Sequence, residues 1–203
     1  MKEIQPLSRR EAKKREKLSR IETAARELFT EKGYEGTTTR AIAERADIGV
    51  GTLFLYFKEK RDLLVHIFQA DIQQAVDRIF DDLPSIDGPE RLTSVVGDAL
   101  TRVFQVYETQ PRLARVFAKE ILFLDDEDQG KAWQSKLVNR LEALLSEARE
   151  NKILPEDDGP PLSLHLFALH YHALVRWLGS AGNISPTQRD TELRAFVASA
   201  LRP

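Results

Sequence analysis

The sequence predicts an all-α chain, and three observations carry that prediction. Alternating β-branched runs of the kind that form strands are almost absent. Apolar residues recur at three- and four-residue spacing through most of the chain. Glycines, prolines and capping residues fall between those periodic stretches.

The elements follow in order. From about Ser8 to Lys32, Leu18, Ile21, Ala25, Leu28 and Phe29 mark one helix face, and Gly33 is placed to stop it. Thr38 is a fitting N-cap for a short helix Thr39–Ala46 with Ile42, Ala43 and Ala46 inward, though Ala41 at N3 forms no capping box. "DIG" makes a tight turn into a second short helix, about Val50–Phe57, and a long helix follows from about Lys60 to Leu83. Pro84, Gly88 and Pro89 break the chain before a helix of about 89–109. Pro111 opens the next, about 111–124; helices of about 129–151, 162–181 and 186–201 complete a set of nine. Ser185 caps the last, with Pro186 in its first turn.

Composition bounds the function. The 203 residues are 42% hydrophobic and 31% charged, the balance of a globular protein with one or two domains. No stretch is long and apolar enough for a membrane span, and the charged N-terminus lacks the apolar region of a secretory signal. The absence of cysteine excludes disulfides, zinc fingers and thiol catalysis, and fits a reducing, cytoplasmic setting. The net charge of −2 hides an asymmetry: residues 1–60 hold 14 Lys/Arg against 10 Asp/Glu, and residues 61–203 hold 16 against 22. A basic front on an acidic body points to a polyanion partner for the front alone. Its steepest part, residues 1–14, reads as a basic arm or an extension of the first helix; Glu11 and Glu16, interspersed among the bases, favour the helix.

Two short helices joined by a tight turn and preceded by a third form a helix-turn-helix. In "ADIGVGTLFLYFKEKRDLL", residues 46–64, Ile48, Leu53 and Phe57 point back into a mini-core. Val50, Gly51, Thr52, Phe54, Leu55 and Tyr56 then face outward, as the surface of a recognition helix would. Gly49 and Gly51 leave room for a phosphate backbone to approach.

The stretch "GYEGTTTRAIAERADIGVGTLFLYFKEKRDLL" resembles the DNA-binding domain of the tetracycline-repressor (TetR) family, as does "IETAARELFTEKG" upstream. The matching positions are Gly33–Tyr34, Thr37–Thr38, Ile42–Ala43, Thr52–Leu53–Phe54, Tyr56–Phe57, Lys60 and Leu63. The resemblance covers residues 15–68 and implies a DNA-binding domain there, followed by an effector-binding and dimerisation domain over 69–203. It implies phosphate contacts from Thr38, Tyr56 and Lys60, and base or phosphate contacts from Arg40, Val50, Gly51, Thr52, Phe54 and Leu55; Gly49 and Lys58 complete the candidate set. Three positions depart from the family. Gly49 replaces a frequent Ser, Phe54 a usual Tyr, and Leu55 a polar or aromatic residue. Direct hydrogen-bonded readout is therefore thin, and Arg40 is the best candidate for a polar base contact.

The body carries two further expectations. The helix at 162–181 is apolar nearly all round, so one side can meet its own core and the other a second copy; a central core helix of a monomer is the alternative. Candidate dimer residues are Leu164, Phe167, Tyr171, Leu174 and Leu178, with Phe196, Val197 and Ala200 of the last helix. In the family such a pair forms a two-fold interface that matches a palindromic operator. The family's body also encloses an effector pocket. Candidate lining here is Phe104, Tyr107, Phe117, Ile121, Trp133, Leu137 and His172, with Arg140 or Arg176 as a polar contact; plain core is the alternative for each residue.

No metal site is expected, because the pairs among His165, His170 and His172 lack i,i+3 or i,i+4 spacing. No cofactor or catalytic motif is present: there is no G-x-S-x-G, phosphate loop or H-E-x-x-H. The sequence thus points to a non-enzymatic, homodimeric, ligand-responsive DNA-binding repressor, cytoplasmic and nucleoid-associated when on DNA. A helical small-molecule-binding protein with a vestigial helix-turn-helix is the alternative.

Overall fold

The computed structural model describes residues 8–121, 127–155, 159–180 and 182–202, with side chains given outside 127–135. Among the described residues every regular element is a helix: α1 (Arg9–Lys32), α2 (Thr39–Arg45), α3 (Val50–Phe54), α4 (Lys60–Asp81), α5 (Pro89–Val103), α6 (Gln105–Glu108), α7 (Pro111–Ile121), α8 (Glu127–Glu150), α9 (Leu162–Gly179) and α10 (Pro186–Ala200). No helix among them is long and apolar enough to cross a membrane. The contacts divide the chain between Ile67 and Phe68.

The first unit is built on α1. Ser8 opens that helix with a full capping box: its hydroxyl accepts from the Glu11 N–H, and its own N–H donates to the Glu11 carboxylate. Gly33 closes the helix at φ 72°, a left-handed conformation that glycine reaches without strain. Ile21, Ala24, Ala25, Leu28 and Phe29 bury one stripe of α1 against Ile42 and Ala43 of α2, Leu53 of α3, and Phe57, Leu63 and Leu64. Ile48 reaches this core only half-buried.

In the second unit α10 packs on α5 and α9, and α9 also meets α7 and α8. Leu92, Val95, Val96, Ala99, Leu100 and Val103 of α5 are all buried, as the wide apolar stripe there requires. Phe68 stacks on Phe117 at 4.9 Å between ring centres. Gly97 marks a close approach, since a Cβ there would lie 3.4 Å from the Arg194 side chain.

Two boundaries differ from expectation in an informative way. The rod expected over 89–109 breaks at Phe104 into α5 and α6, which turns the expected nine rods into ten helices among the described residues. No proline or glycine sits there; Phe104 and Tyr107 bond three residues back, the tighter 3₁₀ pattern. The recognition helix ends at Phe54 rather than Phe57, because the Leu55 and Tyr56 N–H groups also bond to carbonyls three residues back. The expected end of the 111–124 helix and parts of the two acidic loops lie outside the described residues.

Candidate nucleic-acid interface and effector site

The helix-turn-helix is held by side chains that sequence reasoning did not single out. Arg20 of α1 donates to the carbonyl of Ala46, to that of Asp47 (2.7 Å) and to the Asp47 carboxylate (2.9 Å). It clamps the turn between α2 and α3, where Asp47 itself takes φ 51°. The left-handed residue is therefore Asp47, and Gly49 is ordinary extended backbone at φ −67°. Thr37 is buried and its hydroxyl donates to the Gly33 carbonyl at 2.7 Å, with the Leu28 carbonyl 3.1 Å away. Thr38 caps α2, accepting from the Ala41 N–H at 3.1 Å.

The candidate DNA residues divide by what they touch. Phe54 and Leu55 are 47% and 85% exposed, the large exposed apolar side chains among the described residues of the first unit. Val50 and Thr52 are half-buried, and Gly51 and Lys58 are exposed. A Cβ on Gly51 would meet nothing within 4 Å, and one on Gly49 only the Thr52 hydroxyl at 3.8 Å. The fold itself therefore gives no steric reason for glycine at either position, although glycine inside a helix costs about 1 kcal/mol relative to alanine. Arg40 is exposed and its Nε donates to Glu44 at 3.0 Å. Tyr56 donates its hydroxyl to the Lys14 carbonyl at 3.3 Å.

Lys60, expected at a phosphate, is also engaged within the fold. Its ammonium donates to the Tyr34 and Thr37 carbonyls at 2.6 and 2.9 Å and lies 4.1 Å from the Tyr34 ring centre. It pins the α1–α2 connector to the start of α4, so one of its three donors remains for any outside partner.

In the second unit the structure places part of each candidate set away from its expected surface. Phe167, Leu174, Leu178 and Val197, expected at a dimer face, are buried in their own fold. The buried arc of α9 runs through Leu166, Phe167, His170, Ala173, Leu174 and Leu178, so those residues cannot face outward. Leu164, Val175 and Phe196 form the exposed apolar set, with Tyr171 and Ala200 half-buried.

Of the pocket candidates, Phe104, Tyr107, Phe117 and Leu137 are buried and Ile121 is half-buried. Trp133 lies where side chains are outside the described residues. His172 and Arg176 sit on the exposed arc of α9, where Arg176 pairs with Glu192 at 2.8 Å. Arg140 pairs with Asp81. His172 and Arg176 border a small cleft with Trp177 and Arg189, at the outer edge of the buried aromatic set.

Two other residues join that set as its polar contacts. His170, fully buried, stacks on Phe104 at 4.5 Å. Arg189, 2% exposed, lies 3.9 Å from the Phe104 ring centre and 4.6 Å from that of Trp177. Its Nη2 donates to Glu108 and Asp190, both at 2.6 Å, which neutralises its charge. Its Nη1 and the Tyr107 hydroxyl are buried with no hydrogen-bond partner among the described residues, and the His170 ring has only a backbone contact at Leu100. Burial, and then the neighbouring Arg189, press the His170 pKa down to about 3, so the ring is neutral. Burial and Tyr171 raise that of Tyr107, which keeps its proton. The cluster thus offers neutral or charge-balanced hydrogen-bonding groups in an aromatic setting. A readable signal existed: Arg189 falls in phase with Leu193 and Val197 on the buried stripe of α10.

The profile of the family described as "Bacterial regulatory proteins, tetR family" matches residues 21–67. The HTH-type transcriptional repressor KstR of Mycolicibacterium smegmatis is 33% identical over 195 residues, covering 93% of this chain and 91% of that protein. The KstR of Rhodococcus jostii is 28% identical over 180 residues, 88% of this chain and 81% of its own. Thermus thermophilus FadR, solved in complex with lauroyl-CoA, shares the fold at a TM-score of 0.71 and 20% identity, over 92% of this chain and 95% of that one. Bacillus subtilis FadR, solved with stearoyl-CoA, does so at a TM-score of 0.67 and 19% identity, over 90% and 98%. With a relative at this identity over nearly the whole of both chains, and a family profile across the helix-turn-helix, the chain belongs to the TetR family of bacterial transcriptional regulators.

Proposed function

We propose that the chain is a homodimeric, one-component transcriptional repressor that binds a palindromic operator through its first unit. A small, largely apolar effector held in the second unit releases it. The observation that carries the DNA reading is the surface of α3: two glycines with open space where a Cβ would stand, followed by the exposed Phe54 and Leu55. A helix that spends stability on glycine and leaves large apolar groups in water is built for an outside partner. The matched repressors support DNA as that partner. DNA as partner also implies a cytoplasmic protein.

The dimer would use the exposed set, Leu164, Val175 and Phe196, with Tyr171 and Ala200 at its margin. A two-fold through that face presents two recognition helices to half-sites about 34–36 Å apart. Helix α4 runs unbroken from Lys60 to Asp81 and carries residues of both units, which makes it the element that would transmit an effector's preference for one state.

The effector chemistry follows from the His170, Tyr107 and Arg189 cluster. Donors outnumber acceptors there, and Arg189 is already balanced by two carboxylates, so a neutral oxygen suits it better than an anion. An apolar body bearing a carbonyl fits; an acyl-CoA, the class held by the two FadR structures, supplies an alkyl chain and a thioester carbonyl.

The test is selection from a random duplex library at fixed, near-physiological salt, followed by addition of lauroyl-CoA or stearoyl-CoA to the complex with the selected duplex. The expected result is a palindromic consensus and release by acyl-CoA. No enrichment from folded, dimeric protein would contradict the DNA reading, and enrichment without release would contradict the effector class.

A further inference from the structure

We infer that α1 carries a second DNA-contacting surface, a stripe of Arg10, Lys13, Lys14 and Lys17 that grips the phosphate backbone beside the groove α3 enters. This rests on the DNA reading above. The four residues recur at i, i+3, i+4 and i+7, which places them on one helix face. That face is the one which, about three turns further on, buries Ile21, Ala24, Ala25 and Leu28. The helix thus keeps one phase and changes chemistry along it, from apolar where α2 and α3 cover it to basic where they do not.

All four basic side chains are exposed, and none makes an ion pair or hydrogen bond with a described residue. The acidic residues of this segment stand off the stripe. Glu11 is held by the Ser8 cap, which with Arg15 lowers its pKa, and Glu16 lies on the flank of the helix, about 110° round from the stripe's centre. The capping box at Ser8 fixes the segment as helix, so the stripe is a preformed rail.

Its position selects the partner. The Tyr56 hydroxyl meets the Lys14 carbonyl at 3.3 Å, so the middle of the stripe lies beside the turn that follows Phe54 and Leu55. Basic groups adjoining a groove-reading surface fit the sugar-phosphate backbone, which fixes register and adds affinity without reading sequence. From Arg10 to Lys17 the helix rises about 10 Å, enough to track about three successive phosphates of one strand.

The test compares the full-length dimer with a variant carrying Arg10→Gln, Lys13→Gln, Lys14→Gln and Lys17→Gln, on the selected operator and on an unrelated duplex, across a salt series. Glutamine keeps helix propensity, and circular dichroism checks that helicity is retained. Each phosphate contact contributes about 0.9 to the slope of log K against log salt, so the four-fold variant, losing about three contacts in each protomer, should flatten it by about 4–6 in a dimer, with the preference for operator over unrelated duplex unchanged. Lys14→Gln alone, which leaves the backbone carbonyl bonded to Tyr56 intact, should flatten it by about 1–2. Arg9→Gln with Arg15→Gln, off the stripe, should leave the slope nearly as it is. A slope unmoved by the four-fold change, or moved as much by the off-stripe pair, overturns the inference while the regulator reading stands. A wild-type protein with no salt-dependent DNA affinity overturns both.

Discussion

Phe54 and Leu55 in the first unit stand 47% and 85% exposed, whereas Arg189 and His170 in the second are 2% and 0% exposed. The first pair places apolar surface where water is; the second places polar atoms where water is not. Each inverts the ordinary distribution, and each costs stability that the unit itself does not recover. The difference lies in the partner each pair suits. An exposed apolar patch behind two glycines suits a large surface that covers it from outside. A buried, charge-balanced cluster with spare donors suits a small molecule that enters.

Four substitutions press on that comparison, from the largest effect to the smallest. Arg189→Met should destabilise by about 3–5 kcal/mol in chemical denaturation, because Glu108 and Asp190 lose the cation that balances them. A loss under about 1 kcal/mol would mean that these carboxylates, each about one-third exposed, are balanced by solvent.

Arg20→Ala should cost about 2 kcal/mol, since three acceptors in the α2–α3 turn lose one charged donor. DNA affinity should fall with it, and a normal melting temperature would show that the turn holds without the clamp.

His170→Phe should leave stability near neutral pH unchanged or raise it by about 1 kcal/mol, because a fully buried imidazole whose one polar contact is the Leu100 backbone leaves an aromatic site, while acyl-CoA response is lost. It should also reshape the acid limb of stability. The folded pKa of His170 is about 3, below the ordinary 6.5, so between those values the unfolded chain binds one more proton than the native protein. Stability therefore falls as pH drops through that window, by about 1.4 kcal/mol per unit for one proton. The variant should fall less steeply from pH 6.5 to 4; an unchanged acid limb would mean His170 is not held neutral.

Gly51→Ala should change stability least, by about 0.5–1 kcal/mol in the stabilising direction, since alanine is the better helix former and nothing stands within 4 Å of the new methyl.

Much of this was legible in the sequence. Helical periodicity and the breaks at Gly33, Pro89 and Pro111 placed the helices to within a few residues. The outward set on α3 was legible because its neighbours Leu53 and Phe57 keep the inward phase. The body was harder. On α9 nearly every position is apolar, so periodicity does not say which arc is buried, and an outward Leu174 and Leu178 fit the pattern as well as the inward ones the helix adopts. His172 and His170, two residues apart on an evenly apolar helix, are indistinguishable for the same reason. Arg189 reads as a surface residue until Glu108, 81 positions away, stands beside it. The double carbonyl clamp of Lys60 is likewise a long-range contact that spacing alone does not encode.

The account rests on the claim that the glycines and apolar residues of α3 are there for DNA and not for the fold. The most direct test is to measure melting temperature and operator affinity side by side for Gly51→Ala. The predicted result is a melting temperature equal to or above wild type with affinity at least about tenfold weaker, a split of about 1.4 kcal/mol in binding with none lost in folding. An affinity equal to wild type in that stable variant would contradict the claim, because a methyl group would then stand where the DNA is said to approach.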